Sequence, residues 1–165
     1  MNSGDYQKMV DEQAAVMGVM PCPVKLDDKG SAATDRKSIF INPSFASKVA
    51  ATAGVNGIRF VLAHELGHAR GGADGGHSGE FAADQWATQS LVRAGIGAEP
   101  IEGVMSMLPA SDSKSHPGAN ARADRAVKEW HSMTGLRPRP MRSFSGPARR
   151  NDRMTPIRPH RFRER

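Results

Sequence analysis

Two histidines and a glutamate stand together as His64-Glu65-Leu66-Gly67-His68. On a helix, residues four apart project from one face about one turn from each other. Both imidazoles can then meet a single Zn²⁺ at ~2.0–2.1 Å. Glu65 points to the side of that face, towards the water such an ion would activate rather than towards the ion. A carboxylate there can take a proton from that water and pass it to a leaving amine. This spacing points to zinc-assisted hydrolysis of a peptide bond.

A catalytic zinc keeps three protein ligands and one open position. Glu80 is the best third ligand, because Gly71-Gly72-Ala73-Asp74-Gly75-Gly76 reverses the chain and lets a following helix lie against the first. His77, three residues earlier on the same face, is its rival. Asp84 falls four residues after Glu80, where it can accept a hydrogen bond from the free nitrogen of His64 or His68 and fix the tautomer. A buried helix has no other reason to carry two His and a Glu, since burying them unpaired is costly.

The elements that must hold these side chains follow from periodicity. Ile58, Phe60, Val61, Leu62 and Leu66 make residues 55–70 apolar nearly all round, the pattern of a helix buried in the core. A second helix is expected over about 78–93, with Gly95 as its C-terminal cap. Further helices are expected over 4–18, 44–53 and 100–108, and a last one from Pro117 to near Gly135. Val24-Lys25-Leu26 and residues 38–42 read as strands, separated by a turn at Asp27-Asp28-Lys29-Gly30. The fold class is α+β: a small N-terminal β-sheet, a helical body, and a zinc site between two adjacent helices.

These residues resemble the M48-type gluzincin metallopeptidases, which include membrane-bound CAAX-processing and stress-response proteases. That family joins HExxH to E-x-x-A-D and to a Ser/Thr-His-Pro segment with an Arg several residues on. Here the counterparts are His64 to His68, Glu80-Phe81-Ala82-Ala83-Asp84, and Ser115-His116-Pro117 with Arg122. Leu91-Val92-Arg93-Ala94-Gly95-Ile96 is similar to the family's Ala-Gly-Tyr turn, and the resemblance covers about residues 5–130. It implies a zincin-like metallopeptidase domain with zinc on His64, His68 and Glu80, Glu65 as general base and Asp84 supporting a ligand. It also implies that His116 and Arg122 lie at the cleft, with His116 either stabilising an oxyanion or plugging the metal.

Two features depart from the family. Only eleven residues separate His68 from Glu80, which implies a trimmed domain with a more open cleft. The family's Asn-Ala-Phe segment is replaced by Gly30-Ser31-Ala32-Ala33-Thr34, although a peptide substrate is still expected to add to a sheet edge within 31–42. Glu80, Ala83, Asp84 and Ala87 also resemble the ImmA/IrrE-type regulatory peptidases, and that reading implies cleavage of a DNA-binding repressor.

Composition bounds the rest. The chain has 165 residues and is 38% hydrophobic, enough for one domain with a core. Its +6 charge is unevenly placed. Ten arginines and two acids lie between Arg137 and Arg165, leaving 13 basic and 15 acidic residues elsewhere. The domain, residues 1–135, is therefore mildly acidic, and the basic character belongs to the Arg/Pro-rich tail of 136–165. That tail holds too few apolar groups to offset its ordering entropy, so disorder is expected. Its arginines, with Phe144 and Phe162, suit a nucleic acid or another polyanion. A catalytically silent zinc domain that presents this tail is the alternative to an enzyme. One cysteine, Cys22, excludes an internal disulfide framework. Neither a signal peptide over Met1–Met20 nor an apolar run near ~18 residues is found, and a cytoplasmic location is expected.

Overall fold

Asn2 starts the first helix because its side-chain oxygen accepts the Asp5 N–H at 3.1 Å while Asp5 accepts the Asn2 N–H at 2.7 Å. The resulting α1 (Ser3–Met17) buries Tyr6, Met9, Val10 and Ala14 and stops at Gly18. The computed structural model describes residues 1–73, 75–114 and 116–136. Ser115 and the tail from Arg137 lie outside the described residues, and with them the expectations of disorder and polyanion binding.

Three short strands follow: β1 (Val24–Leu26), β2 (Ala32–Thr34) and β3 (Ile39–Ile41), in the order β1-β3-β2. β1 runs parallel to β3, with Val24 opposite Ile39; β2 runs antiparallel to it, with Ala32 opposite Ile41. Ile39 and Ile41 are fully buried and seat the sheet on the helices. β1 and β3 match the strands expected at 24–26 and 38–42. No strand was expected at β2, because Ala32 and Ala33 carry little intrinsic strand preference; pairing with β3 makes it one.

Asn42 caps the next helix, accepting the N–H groups of Ser44 and Phe45 while its own amide donates to the carbonyls of Asp28 and Gly30. Pro43 occupies the first turn, where its missing N–H leaves no bond unmade. The helix α2 (Pro43–Arg70) is interrupted at Gly54, whose φ of 68° and ψ of −175° are not helical. The two helical stretches expected over 44–53 and 55–70 are thus joined by a single broken residue. Every residue from Gly57 to Gly67 except Arg59 is buried, as the all-round apolar pattern requires. Burial of Ile58, Leu62 and Leu66 stabilises the fold by ~1.5–3 kcal/mol each.

α3 (Gly76–Arg93) packs on α2. It ends at the predicted glycine: Gly95, at φ 71°, donates to the Val92 carbonyl, and Ile96 donates to that of Leu91. α4 (Glu99–Met105) is shorter than expected, because Met107 and Leu108 bond back three residues rather than four. α5 (Ala119–Thr134) begins two residues later than expected. Pro117 lies outside it, since the Gly118 N–H is drawn to Asp112 Oδ1 at 2.5 Å and Gly118 holds an extended conformation. Among the described residues, five helices and a three-stranded sheet bear out the α+β class. No helix among the described residues is long and apolar enough to cross a membrane.

Candidate metal centre

The ligand-bearing helices meet through small residues. A Cβ on Gly67 would come within 3.2 Å of Trp86 Cβ and 3.3 Å of the Ala83 Cα, so a larger residue here would press α3 away by a few tenths of an ångström. Ala83 and Ala87 are fully buried in this region. The place of Ala83 in the E-x-x-A-D pattern is thereby explained as helix contact.

At this crossing His64 Nε2 and His68 Nε2 face each other at 3.2 Å. Glu80 Oε1 lies 3.4 Å from His68 Nε2, and Glu80 Oε2 lies 3.6 Å from His64 Nε2. A tetrahedral site with bonds of ~2.0–2.1 Å has ligand atoms about 3.4 Å apart, and these separations come close to that, with each histidine facing a different Glu80 oxygen. The far side of each ring is fixed as well. His64 Nδ1 is 2.9 Å from Asp84 Oδ1, and His68 Nδ1 is 3.0 Å from the Ala73 carbonyl oxygen. Both partners only accept, so both Nδ1 atoms carry hydrogen, and in neutral rings both Nε2 atoms present lone pairs to the same point. That point suits a cation or a hydrogen-bond donor. The donor set fits the metal the sequence pointed to, and these three residues form a group whose donor atoms all lie within 4.8 Å of one another.

Arg122 organises the carboxylates. It is 7% exposed, donates through Nε and Nη2 to both oxygens of Asp84 at 2.7 and 2.8 Å, and lies 2.9 Å from Glu80 Oε2 through Nη1. Burial works to raise the pKa of Asp84 and Glu80, but hydrogen bonds from Arg122 and His64 to Asp84, and from His68 to Glu80, outweigh it and hold both below the usual carboxylate range. Glu65 differs. Burial pushes its carboxyl above that range against the pull of His64 and His68, leaving it readier than its neighbours to accept a proton.

A cleft of ≈ 420 Å³ opens over these groups. Its floor includes His64, Glu65, His68 and Glu80; Ser31 to Thr34 of the β2 edge form one side, and Val61, Val104, Met105 and Leu108 supply an apolar wall. Asn42 donates to the Ser31 carbonyl and Asp35 to that of Ser38, so residues 31, 33 and 35 turn their backbone groups towards β3. By antiparallel alternation, the N–H and C=O of Ala32 and Thr34 point to the opposite edge.

The structure brings His64, Glu65, His68, Glu80, Asp84 and Arg122 together. His116 sits at the rim with its side chain 58% exposed and Nε2 3.6 Å from Glu80 Oε1, outside the mutually close donor group. His77, the rival ligand, is directed elsewhere: its Nε2 meets the Ser113 carbonyl oxygen at 2.7 Å. Sequence reasoning missed the Ala73 carbonyl, a backbone partner that no residue type announces. It placed Arg122 at the cleft without its two carboxylate partners.

Comparison with protein-family models, with curated proteins and with solved structures finds no match to this chain.

Proposed function

We propose that the chain is a zinc-dependent endopeptidase with a zincin-like domain. The observation that carries this reading is the buried Glu65, raised in pKa, on the floor of a cleft shared with the His64, His68 and Glu80 donor set. His64, His68 and Glu80 would hold the ion, and Asp84 and the Ala73 carbonyl fix the two rings. Zinc bound there supplies Lewis-acid activation of a water and of the substrate carbonyl. Glu65 accepts the proton from the attacking water and delivers it to the departing amine. A silent zinc domain has no need of such a carboxylate, which favours the enzyme over the tail-presenting alternative. The substrate binds extended along β2, exchanging backbone hydrogen bonds with Ala32 and Thr34. His116, exposed at the rim and outside the donor group, donates to the developing oxyanion.

Casein cleavage by the zinc-loaded chain tests this. Glu65→Gln should retain zinc while the rate falls by about 10²–10⁴-fold, the worth of a general base. Undiminished cleavage by that variant, or none by the zinc-loaded wild type, would sink the reading. In the same assay His116→Ala should lower turnover, whereas a rise would show that His116 plugs the site.

A further inference from the structure

We propose that Arg122 is a positioning residue that makes Glu80 a one-oxygen ligand; this rests on the metal site of the proposed function but not on proteolysis. A guanidinium offers five N–H donors in a fixed plane. In Arg122 the Nε and Nη2 donors take the two oxygens of Asp84 in a paired contact, at 2.7 and 2.8 Å. The remaining nitrogen, Nη1, reaches Glu80 Oε2 at 2.9 Å. The side chain is buried and each of its three nitrogens meets one of these carboxylates, although Arg122 also lines the cleft.

The consequence falls on Glu80. Its Oε2 lies 2.9 Å from the buried Arg122 Nη1 and 3.6 Å from His64 Nε2, while Oε1 is the oxygen nearer His68 Nε2, at 3.4 Å, and His116 Nε2, at 3.6 Å. The guanidinium contact is the shorter of the two on Oε2, which leaves Oε1 as the oxygen to meet a metal. Two-oxygen binding would fill the position that substrate or water needs. The same guanidinium orients Asp84, which orients His64. Arg122 thus fixes two of the three ligands, and α5 becomes part of the metal centre although it contributes no ligand. Lysine cannot replace it, because a single ammonium lacks the planar fork that spans two carboxylates.

X-ray absorption at the zinc edge of the zinc-loaded full chain decides the point first. The expected result is a four-coordinate ion with one carboxylate oxygen; a two-oxygen Glu80 in the wild type overturns the proposal. Arg122→Lys then keeps the buried charge while removing the fork, and is a safer variant than Arg122→Met, which strands two buried carboxylates. With Co²⁺ in place of zinc, its visible bands should weaken towards a five-coordinate spectrum. Its zinc affinity, read by competition with a chromogenic chelator, should fall by about 10–100-fold. A folded Arg122→Lys chain with the wild-type spectrum and affinity also overturns the proposal. If the variants unfold, the wild-type coordination number remains the deciding measurement. A wild type that binds zinc through one oxygen yet cuts no peptide would defeat the peptidase reading alone, and a cleaving enzyme with a two-oxygen Glu80 would defeat this inference alone.

Discussion

Across the cleft, α2 and α3 present side chains, whereas β2 presents backbone. The helix side is buried and ionic: His64, His68, Glu80, Asp84 and Arg122 each have defined partners at 2.7–3.6 Å. The strand side is three residues long, half exposed, and built from Ala32, Ala33 and Thr34, whose side chains carry no ionisable group. Chemistry needs particular atoms at particular separations, and here side chains supply nearly all of them, the Ala73 carbonyl excepted. Holding an extended peptide needs donors and acceptors at a regular spacing, which any residue in a strand offers. The two walls should therefore respond differently to substitution.

The largest effect is expected from His68→Ala. Structural zinc binding is worth ~10–16 kcal/mol over its full ligand set, so losing one ligand should weaken affinity on the order of 10²–10³-fold. Chelator competition measures it, and near-wild-type affinity would remove His68 from the site. Next is Gly67→Ala, whose added carbon meets the Ala83 backbone at 3.3–3.4 Å. Overpacking there should cost about 1–3 kcal/mol and lower zinc affinity together with the melting temperature. Stability lost with affinity unchanged would mean that the helix crossing does not set the ligand geometry.

The strand wall should answer more mildly. Ala32→Pro removes an N–H that points away from β3, so KM for a peptide should rise roughly 2–10-fold, one hydrogen bond's worth, with zinc affinity unchanged. Ala33→Pro removes an N–H turned towards β3 and should lower the melting temperature as well. Equal behaviour of the two variants would refute the assigned edge. The smallest effect concerns pH. In the metal-free chain the hydrogen bond to Glu80 holds His68 above its ordinary pKa of 6.5, so the folded state binds this proton more tightly than the unfolded one. That stability is fully present below pH 6.5 and is lost as pH rises through the folded value. The melting temperature without metal should fall over that range, while zinc binding, which needs neutral rings, should strengthen. A metal-free profile that rises there would contradict the arrangement.

The two walls also differed in how legible they were. His64, Glu65 and His68 could be read because helical periodicity converts a spacing of four into a shared face. The buried stretch Gly57–Gly67 and the cap at Gly95 followed from equally local rules. Glu80 and Asp84 required the extra step of a glycine-rich reversal, and the structure does bring them to the histidines. β2 was not legible, because Ala32 to Thr34 form a strand only through pairing with β3. Pro117 misled for a similar reason. Its fitness for a first turn is local, whereas the bond from Gly118 to Asp112 that delays α5 is set by the loop.

The sequence by itself determined the donor types, the helix that carries two of them, and the chemistry they can perform, since these depend on residues within one or two turns. Only the tertiary structure decided that His77 turns to Ser113 instead of the metal point, that Ala73 fixes His68, and that Arg122 joins Asp84 to Glu80 across 38 residues of chain. Those choices depend on how whole elements dock. A buried guanidinium takes the carboxylates that packing brings within reach, and no spacing along the chain encodes which these will be.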